Sequence, residues 1–323
     1  MGNDMFSITK DNSNKDLIMN MSRHDGRDYY LDIWGNDFKS KFEPPVVEEY
    51  KGKYILRADL APGGLKSFGG ERVISEGKPT LVYCAPRQGH APDAIASLAK
   101  LYDKKVVFFM PSSKRVSDHQ GALFAYDNVD VRFFRIAAMP VLNQYAKKWA
   151  EEHQATYLPF GLTGNEMVTA GLVNMCKNIS NQLGKDPTEI YCAVSTGTMI
   201  RALQIGWPDA TPKGVAVARN IHKGEKGVAI LETAKMPFLK RTPVADRMPI
   251  PTTGAYDAKA WELFEREGKP GSIFINVGAD AVLNRYLSRV NRNNINSYRE
   301  WHDMGDWHEN RAFKGDIFEH GVA

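Results

Sequence analysis

The sequence predicts an α/β protein whose mostly parallel sheet is covered by helices on both faces. Short apolar runs bounded by Pro or Gly alternate with stretches of helical apolar spacing from Tyr54 to about Val290. At 323 residues the chain can bury a substantial core, in two lobes or one large domain. No internal repeat or low-complexity tract interrupts the alternation.

The elements follow in order. Residues 1–45 form a polar lead dotted with aromatic residues, read as an arm on the domain surface or as a loop bordering a site or a subunit interface. Tyr54 to Asp59 alternates as a strand, and a Pro-Gly-Gly turn leads to Lys66, where the next helix should begin. LVYCAP (81–86) is an apolar run stopped by proline, as in a buried parallel strand. Residues 91–102 have helical spacing, with Pro92 suited to the first turn. Strands are expected over 104–111, 129–136 and 155–161, with a helix over 143–153. The segment 165–183 reads as an amphipathic helix that Gly184 ends. EIYCAV (189–194) is a strand running straight into Ser195, Thr196, Gly197 and Thr198 and then a helix. Strands are expected at 214–219, 227–232 and 272–277, and helices at 256–267 and 280–290. Pro237, Pro243, Pro249 and Pro251 mark an irregular connection between them.

Composition narrows the function little. The formal net charge of +4 permits an anionic partner without requiring one. Cys84, Cys176 and Cys192 are far apart, and two lie in apolar runs, so reduced buried thiols are expected rather than a disulfide framework or zinc site. No apolar stretch approaches the ~20 residues that cross a bilayer. The first residues lack the apolar core of a signal peptide, so a cytoplasmic protein with no membrane partner is expected.

The strand–STGT–helix passage is the clearest ligand signal. Ser195, Thr196, Gly197 and Thr198 offer hydroxyls and backbone N–H groups at the positive end of a helix dipole, a combination that binds phosphate. It is neither a Walker motif nor GxGxxG, and a plain helix start remains open. Lys66, on its glycine turn, is a surface charge or an amine able to form a Schiff base with a carbonyl.

The run RADLAPGGLKSFGG (57–70) resembles the R-E-D-L-x-P-G-G-x-K-x-R signature of the fold type II pyridoxal phosphate enzymes. That superfamily includes tryptophan synthase β, cysteine synthase, serine and threonine dehydratases, and the aminocyclopropane-carboxylate deaminase and D-cysteine desulfhydrase branch. The resemblance spans about residues 45–290. It implies two lobes, each an open, mostly parallel sheet with helices on both faces: a large cofactor-binding lobe of residues 1–85 and 162–323, and a small lobe of 86–161. It implies pyridoxal 5'-phosphate as cofactor, Lys66 as the Schiff-base lysine, and Ser195 to Thr198 as the phosphate loop. The segment 85–96 sits where the family has S-x-G-N-H-x-Q, the loop that binds the substrate carboxylate and flanks the ring. Here it departs, with Gly89 at the asparagine position and Pro86 or Arg87 at the serine, so Gln88 and His90 are expected to bond cofactor or substrate and Arg87 to pair with an anion. Helix capping by Gln88 and His90 is the alternative.

TTGAYDAKAWE (252–262) is similar to a segment of the deaminase and desulfhydrase branch. Asp257 falls where those enzymes place a glutamate beside the ring nitrogen, and Tyr256 matches their tyrosine; the alternative for Asp257 is a helix N-terminal aspartate favoured by the dipole. Asn276 aligns with the serine that cysteine synthases use at the ring nitrogen. LPFGLTGN (158–165) is similar to the region that closes under the cofactor in this superfamily, which implies Thr163 and Asn165 at the site, Thr163 on the substrate; a plain N-cap of the long helix is the alternative.

The resemblance implies a lyase-type enzyme, acting at Cα of an amino acid or amino-acid-bearing substrate through an external aldimine and a ring-stabilised carbanion, as a homodimer. Within it, the PRQGHAP loop is similar to divergent superfamily members of large phages, some of which decarboxylate an amino acid attached to a thymine-derived base in DNA. For such a protein, in the host cytoplasm, the Arg/Asn-rich, aromatic-dotted residues 284–311 are the candidate DNA contact. His302 and His308 there lack the companions of a metal site. A different class, a non-catalytic binding protein that keeps only the fold, is also open.

Overall fold

A computed structural model describes residues 22–111, 117–134, 138–218, 221, 226–238 and 240–280. These divide into two compact units, one of residues up to 72 with 163–280, the other of residues 73–162. The strands, numbered along the chain, are β1 (Val47–Tyr50), β2 (Lys53–Arg57), β3 (Thr80–Cys84), β4 (Lys105–Pro111), β5 (Val129–Phe134), β6 (Thr156–Leu158), β7 (Glu189–Val194), β8 (Thr211–Ala216), β9 (Ile230–Thr233) and β10 (Ile273–Asn276). Besides the single turn Asp118–Gly121, the helices are α1 (Arg23–Trp34), α2 (Leu65–Glu76), α3 (Ala91–Leu101), α4 (Met139–Glu152), α5 (Glu166–Leu183), α6 (Thr198–Gly206) and α7 (Ala258–Glu267).

The first unit holds a six-stranded sheet in the order β1-β2-β10-β7-β8-β9. All its pairings are parallel except the β1–β2 hairpin, whose Lys51 and Gly52 both take positive φ, as a two-residue turn matched to strand twist requires. Strand β7 shows why the central run EIYCAV is apolar without alternation. Ile190, Cys192 and Val194 enter one core with Leu172 of α5 and Ile200 of α6, while Tyr191 and Ala193 enter another with Trp261 and Phe264 of α7. Both faces are therefore buried.

The second unit is a four-stranded parallel sheet in the order β5-β4-β3-β6. Val82, Cys84, Val107 and Phe109 pack on Leu142, Ala146 and Trp149 of α4. The α/β class and its two mostly parallel sheets are as the sequence predicts. Cys84, Cys176 and Cys192 are buried and free.

Several boundaries differ from the sequence reading. Strand β3 pairs with β4 and β6, which places residues 80–84 in the second unit and moves the first break from 85/86 to 72/73. Strand β2 stops at Arg57, because Ala58–Leu60 close into a 3-10 turn. Helix α4 starts at Met139 rather than 143, with Pro140 in its first turn, where no N–H is needed. The lead segment contains α1, capped by Ser22 and Asp25 in a reciprocal capping box, and its Tyr30 and Trp34 pack on Ala170, Val173 and Ile205. Residues 281–290 of the expected last helix and the basic tail 284–311 lie outside the described residues.

Candidate functional site

In the first unit, the strand ends β2, β7 and β10 deliver the chemistry-bearing residues. After β2 the chain turns through Pro62-Gly63-Gly64 into α2. Gly64 sits at φ 73°, and a Cβ there would lie 2.4 Å from the Val277 carbonyl oxygen. That close approach lets the Leu65 N–H donate to Val277 O at 2.9 Å, which pins the first turn of α2 to the end of β10. Lys66 is the second residue of that helix and is half-buried. Burial lowers its amine from the ordinary lysine range to about 8 by penalising the charged form.

Beyond β7, Ser195, Thr196 and Gly197 lead into α6. Gly197 is the N-cap residue at φ 102°, a conformation that disfavours any side chain, and no side chain caps the helix. The N-cap residue therefore offers the first N–H groups of α6 no side-chain acceptor. The hydroxyls of Thr196 and Thr198 lie 3.4 Å apart. A dipole end without a capping side chain, flanked by hydroxyls, suits a phosphate. Tyr256 touches this loop through hydrogen bonds between its hydroxyl and Ser195; burial first, then the charge of Asp257, pushes its acidity well below that of an ordinary tyrosine.

Asp257 is fully buried at the N-cap of α7, yet its side chain does not cap that helix. One carboxyl oxygen, Oδ2, accepts from the Val277 N–H at 3.2 Å, and the other, Oδ1, has no hydrogen-bond partner among the described residues. Desolvation, reinforced by the nearby Asp280 and Asp59 charges, raises its carboxyl well above the usual range, against a lowering by the N–H groups of Val277 and Gly278. Val277 thus binds Asp257 through its N–H and the start of the Lys66 helix through its carbonyl.

Asn276, one residue earlier, is fully buried with its amide occupied. Its Nδ2 donates to Asp59 Oδ1 at 2.8 Å and to the Pro251 carbonyl at 2.9 Å, and its Oδ1 accepts from the Thr252 hydroxyl at 2.9 Å. Thr163 lies half-buried in the turn ahead of α5, where the Asn165 side chain caps the helix, accepting from Met167 N at 3.0 Å and Val168 N at 3.3 Å.

Arg87, Gln88 and His90 belong to the second unit, on the loop between β3 and α3. Arg87 and Gln88 are exposed, and Gly89 has φ 127°. His90 is the N-cap residue of α3, but its ring does not cap the helix. Its ring instead meets His119 edge to face, with centroids 5.2 Å apart. Burial, then the His119 ring, lowers the His90 imidazole to about 3, so it is neutral at neutral pH. The Ser117 hydroxyl donates to the Arg87 carbonyl. Behind the loop, Asp93 is buried, accepts from the Tyr126 hydroxyl at 2.7 Å, and is raised by desolvation to about 6. His119 and Asp93 escape sequence reasoning: nothing local links His119 to the loop, and an aspartate in a first helical turn reads as a dipole partner.

Among the described residues no group of three or more His, Cys, Asp and Glu could hold a metal ion, and no helix is long and apolar enough to cross a membrane. No family model matches the chain. No curated protein matches it by sequence. Solved structures do match. An ACC deaminase homologue is 18% identical with a TM-score of 0.62, over 80% of this chain and 98% of that one. The processed form of threonine deaminase isoform 2 from Solanum lycopersicum is 15% identical with a TM-score of 0.60, over 88% and 95%. A pyridoxal 5'-phosphate-dependent aspartate racemase is 13% identical with a TM-score of 0.58, over 78% and 95%. At these identities the likeness shows a shared fold.

Proposed function

We propose that this chain, which has the architecture of the fold type II pyridoxal phosphate enzymes, binds that cofactor and acts at Cα of an amino acid or amino-acid-bearing substrate. The observation that carries the reading is Asp257 Oδ1, a buried carboxyl oxygen with no partner among the described residues, on a segment tied through Val277 to the start of the Lys66 helix. A buried polar atom of this kind costs stability unless something fills its bond, and a protonated ring nitrogen would do so. The N-terminus of α6, with no side-chain cap, and its hydroxyls fit the phosphate end of the same molecule.

In this reading Ser195, Thr196, Gly197 and Thr198 would hold the phosphate, Asp257 would accept from the ring nitrogen, and Lys66 would hold the aldehyde carbon. When bound, pyridoxal phosphate supplies an aldehyde for the substrate amine and an electron-poor ring that accepts the electron pair of a bond broken at Cα. Lys66 suits its part because an amine near 8 is about one-tenth neutral at pH 7, against a far smaller share for an ordinary lysine. Its Nζ would carry a proton to or from Cα. Asp257, as a carboxylate rather than a neutral partner, keeps the ring nitrogen protonated. The finer assignment is a lyase that eliminates, deaminates or decarboxylates, working as a homodimer, with Arg87, Gln88, His90 and Thr163 on the substrate. A neutral His90 would accept or donate a hydrogen bond there without bringing charge.

The test is direct. Protein incubated with pyridoxal phosphate and reduced with borohydride should carry the adduct on the peptide containing Lys66. A wild-type protein with no adduct there refutes the reading and leaves a binding protein of this fold.

A second reading rests on the Pro86–His90 loop, where exposed Arg87 stands in place of the family's usual residues. It is a decarboxylase of an amino acid attached to a DNA base. It requires duplex binding that falls steeply with salt, and no binding at low salt removes it.

A further inference from the structure

The Asp257 segment is held by hydrogen bonds in addition to the packing of its own helix on the sheet. Residues 251–258 form an irregular turn with few ladder bonds of its own, closed by Tyr256 N and Ala258 N on the Thr253 carbonyl at 3.0 and 3.3 Å. Side-chain hydrogen bonds tie this turn to the end of β10. Asn276 donates to the Pro251 carbonyl and accepts from the Thr252 hydroxyl, both at 2.9 Å. Asp280 adds a second brace, its N–H on the Thr252 carbonyl at 3.2 Å and its carboxylate on Gly254 N at 2.9 Å. The anchor behind Asn276 is rigid as well. Asp59 takes the amide at 2.8 Å and is itself held by Nε and Nη2 of Arg57, both at 2.9 Å.

We propose that Asn276 is a positioning residue for Asp257. Its amide clamps the Pro251–Thr252 backbone against Asp59 and so fixes the following turn where Val277 N–H can grip Asp257 and leave Oδ1 open. The inference rests on the cofactor reading above and deepens it. Only asparagine supplies two donors and one acceptor on so short a stem. Aspartate would lose both donations and set a second carboxylate against Asp59. Serine would supply one donor. Because both Asn276 N–H bonds are committed, the ring nitrogen is left to Asp257, and the site keeps a carboxylate rather than a neutral partner.

The experiment is a double-mutant cycle on the cofactor-loaded protein, read by the pyridoxal phosphate dissociation constant and by the pH titration of the bound chromophore. Asn276→Ser should weaken binding roughly tenfold, by loss of buried hydrogen bonds. It should move the chromophore's titration in the same direction as Asp257→Asn. If Asn276 acts through Asp257, Asn276→Ser added to Asp257→Asn costs less than about a further twofold. Losses that multiply independently, or a chromophore titration that Asn276→Ser leaves unmoved, overturn the inference and make Asn276 a structural residue. Thr252→Val keeps the shape and removes one of the three bonds. If Asn276→Ser does not fold, Thr252→Val must show a smaller loss with the same dependence on Asp257, and an independent loss overturns the inference equally. Wild-type protein that takes up no pyridoxal phosphate overturns the cofactor reading and this inference together; uptake with independent losses overturns this inference alone.

Discussion

Asp257→Asn separates the stability of the folded chain from its affinity for a cofactor. In the cofactor-free protein the buried Asp257 carboxyl is raised well above the ordinary aspartate range. Its proton belongs on Oδ1, since Oδ2 accepts from Val277 N at 3.2 Å. Asparagine reproduces that neutral group, with its carbonyl on Val277 N and its amide where the acid proton stood. The folded chain holds this proton more tightly than the unfolded chain, whose aspartate titrates near 3.9. The contribution of Asp257 is therefore fullest below about pH 4. It declines as pH rises through the folded value, the folding constant falling up to tenfold per pH unit in that window. The variant has no such decline. Denaturant unfolding of cofactor-free protein at pH 5, 6 and 7 should show Asp257→Asn gaining on wild type as pH rises. Pyridoxal phosphate affinity should move the other way. Loss of a hydrogen bond to a charged partner is worth about 1.5–3 kcal/mol, or roughly ten- to a hundredfold in the dissociation constant. A variant that loses stability evenly at all three pH values, with cofactor affinity unchanged, would refute the reasoning, because Asp257 would then be a structural carboxylate.

Three further outcomes follow from the same geometry. Capture of pyridoxal phosphate by Lys66, followed by borohydride trapping at short times, should rise with pH and level off above about 8, as the neutral amine becomes the dominant form; a rise that continues toward the ordinary lysine range contradicts the burial argument. Gly197→Ala at φ 102° should cost about 1–2 kcal/mol of stability and weaken the binding of pyridoxal phosphate more than that of pyridoxal, measured by titration, since the strain falls on the phosphate loop. Gly64→Ala brings a Cβ to 2.4 Å from the Val277 carbonyl oxygen, a backbone atom that has little room to yield. It should destabilise by more than about 2 kcal/mol in denaturant melts and lower the yield of Lys66 adduct, because the first turn of α2 must shift.

Much of the fold was legible in the chain. A strand buried on both faces must be apolar throughout, so LVYCAP announced a buried parallel strand before any pairing was known, and EIYCAV a strand. The glycine turn before Lys66 and the STGT passage were legible for a similar reason: each is a local conformation that few other residues adopt. The small strand β1 and helix α1 were not, because short polar elements owe their stability to what they pack on. Tyr30 and Trp34 of α1 find their partners on α5 and α6, far along the chain.

The sequence by itself determined the α/β class, the lysine on its turn and the helix start suited to a phosphate, since these rest on periodicity and backbone freedom within a few residues. Only the tertiary structure decided the rest. It placed β3 in the second sheet, set His119 against His90, filled every bond of Asn276 and left Asp257 Oδ1 buried without one. Hydrogen-bond satisfaction and desolvation depend on neighbours that the fold brings from distant parts of the chain, and those neighbours are absent from any local pattern.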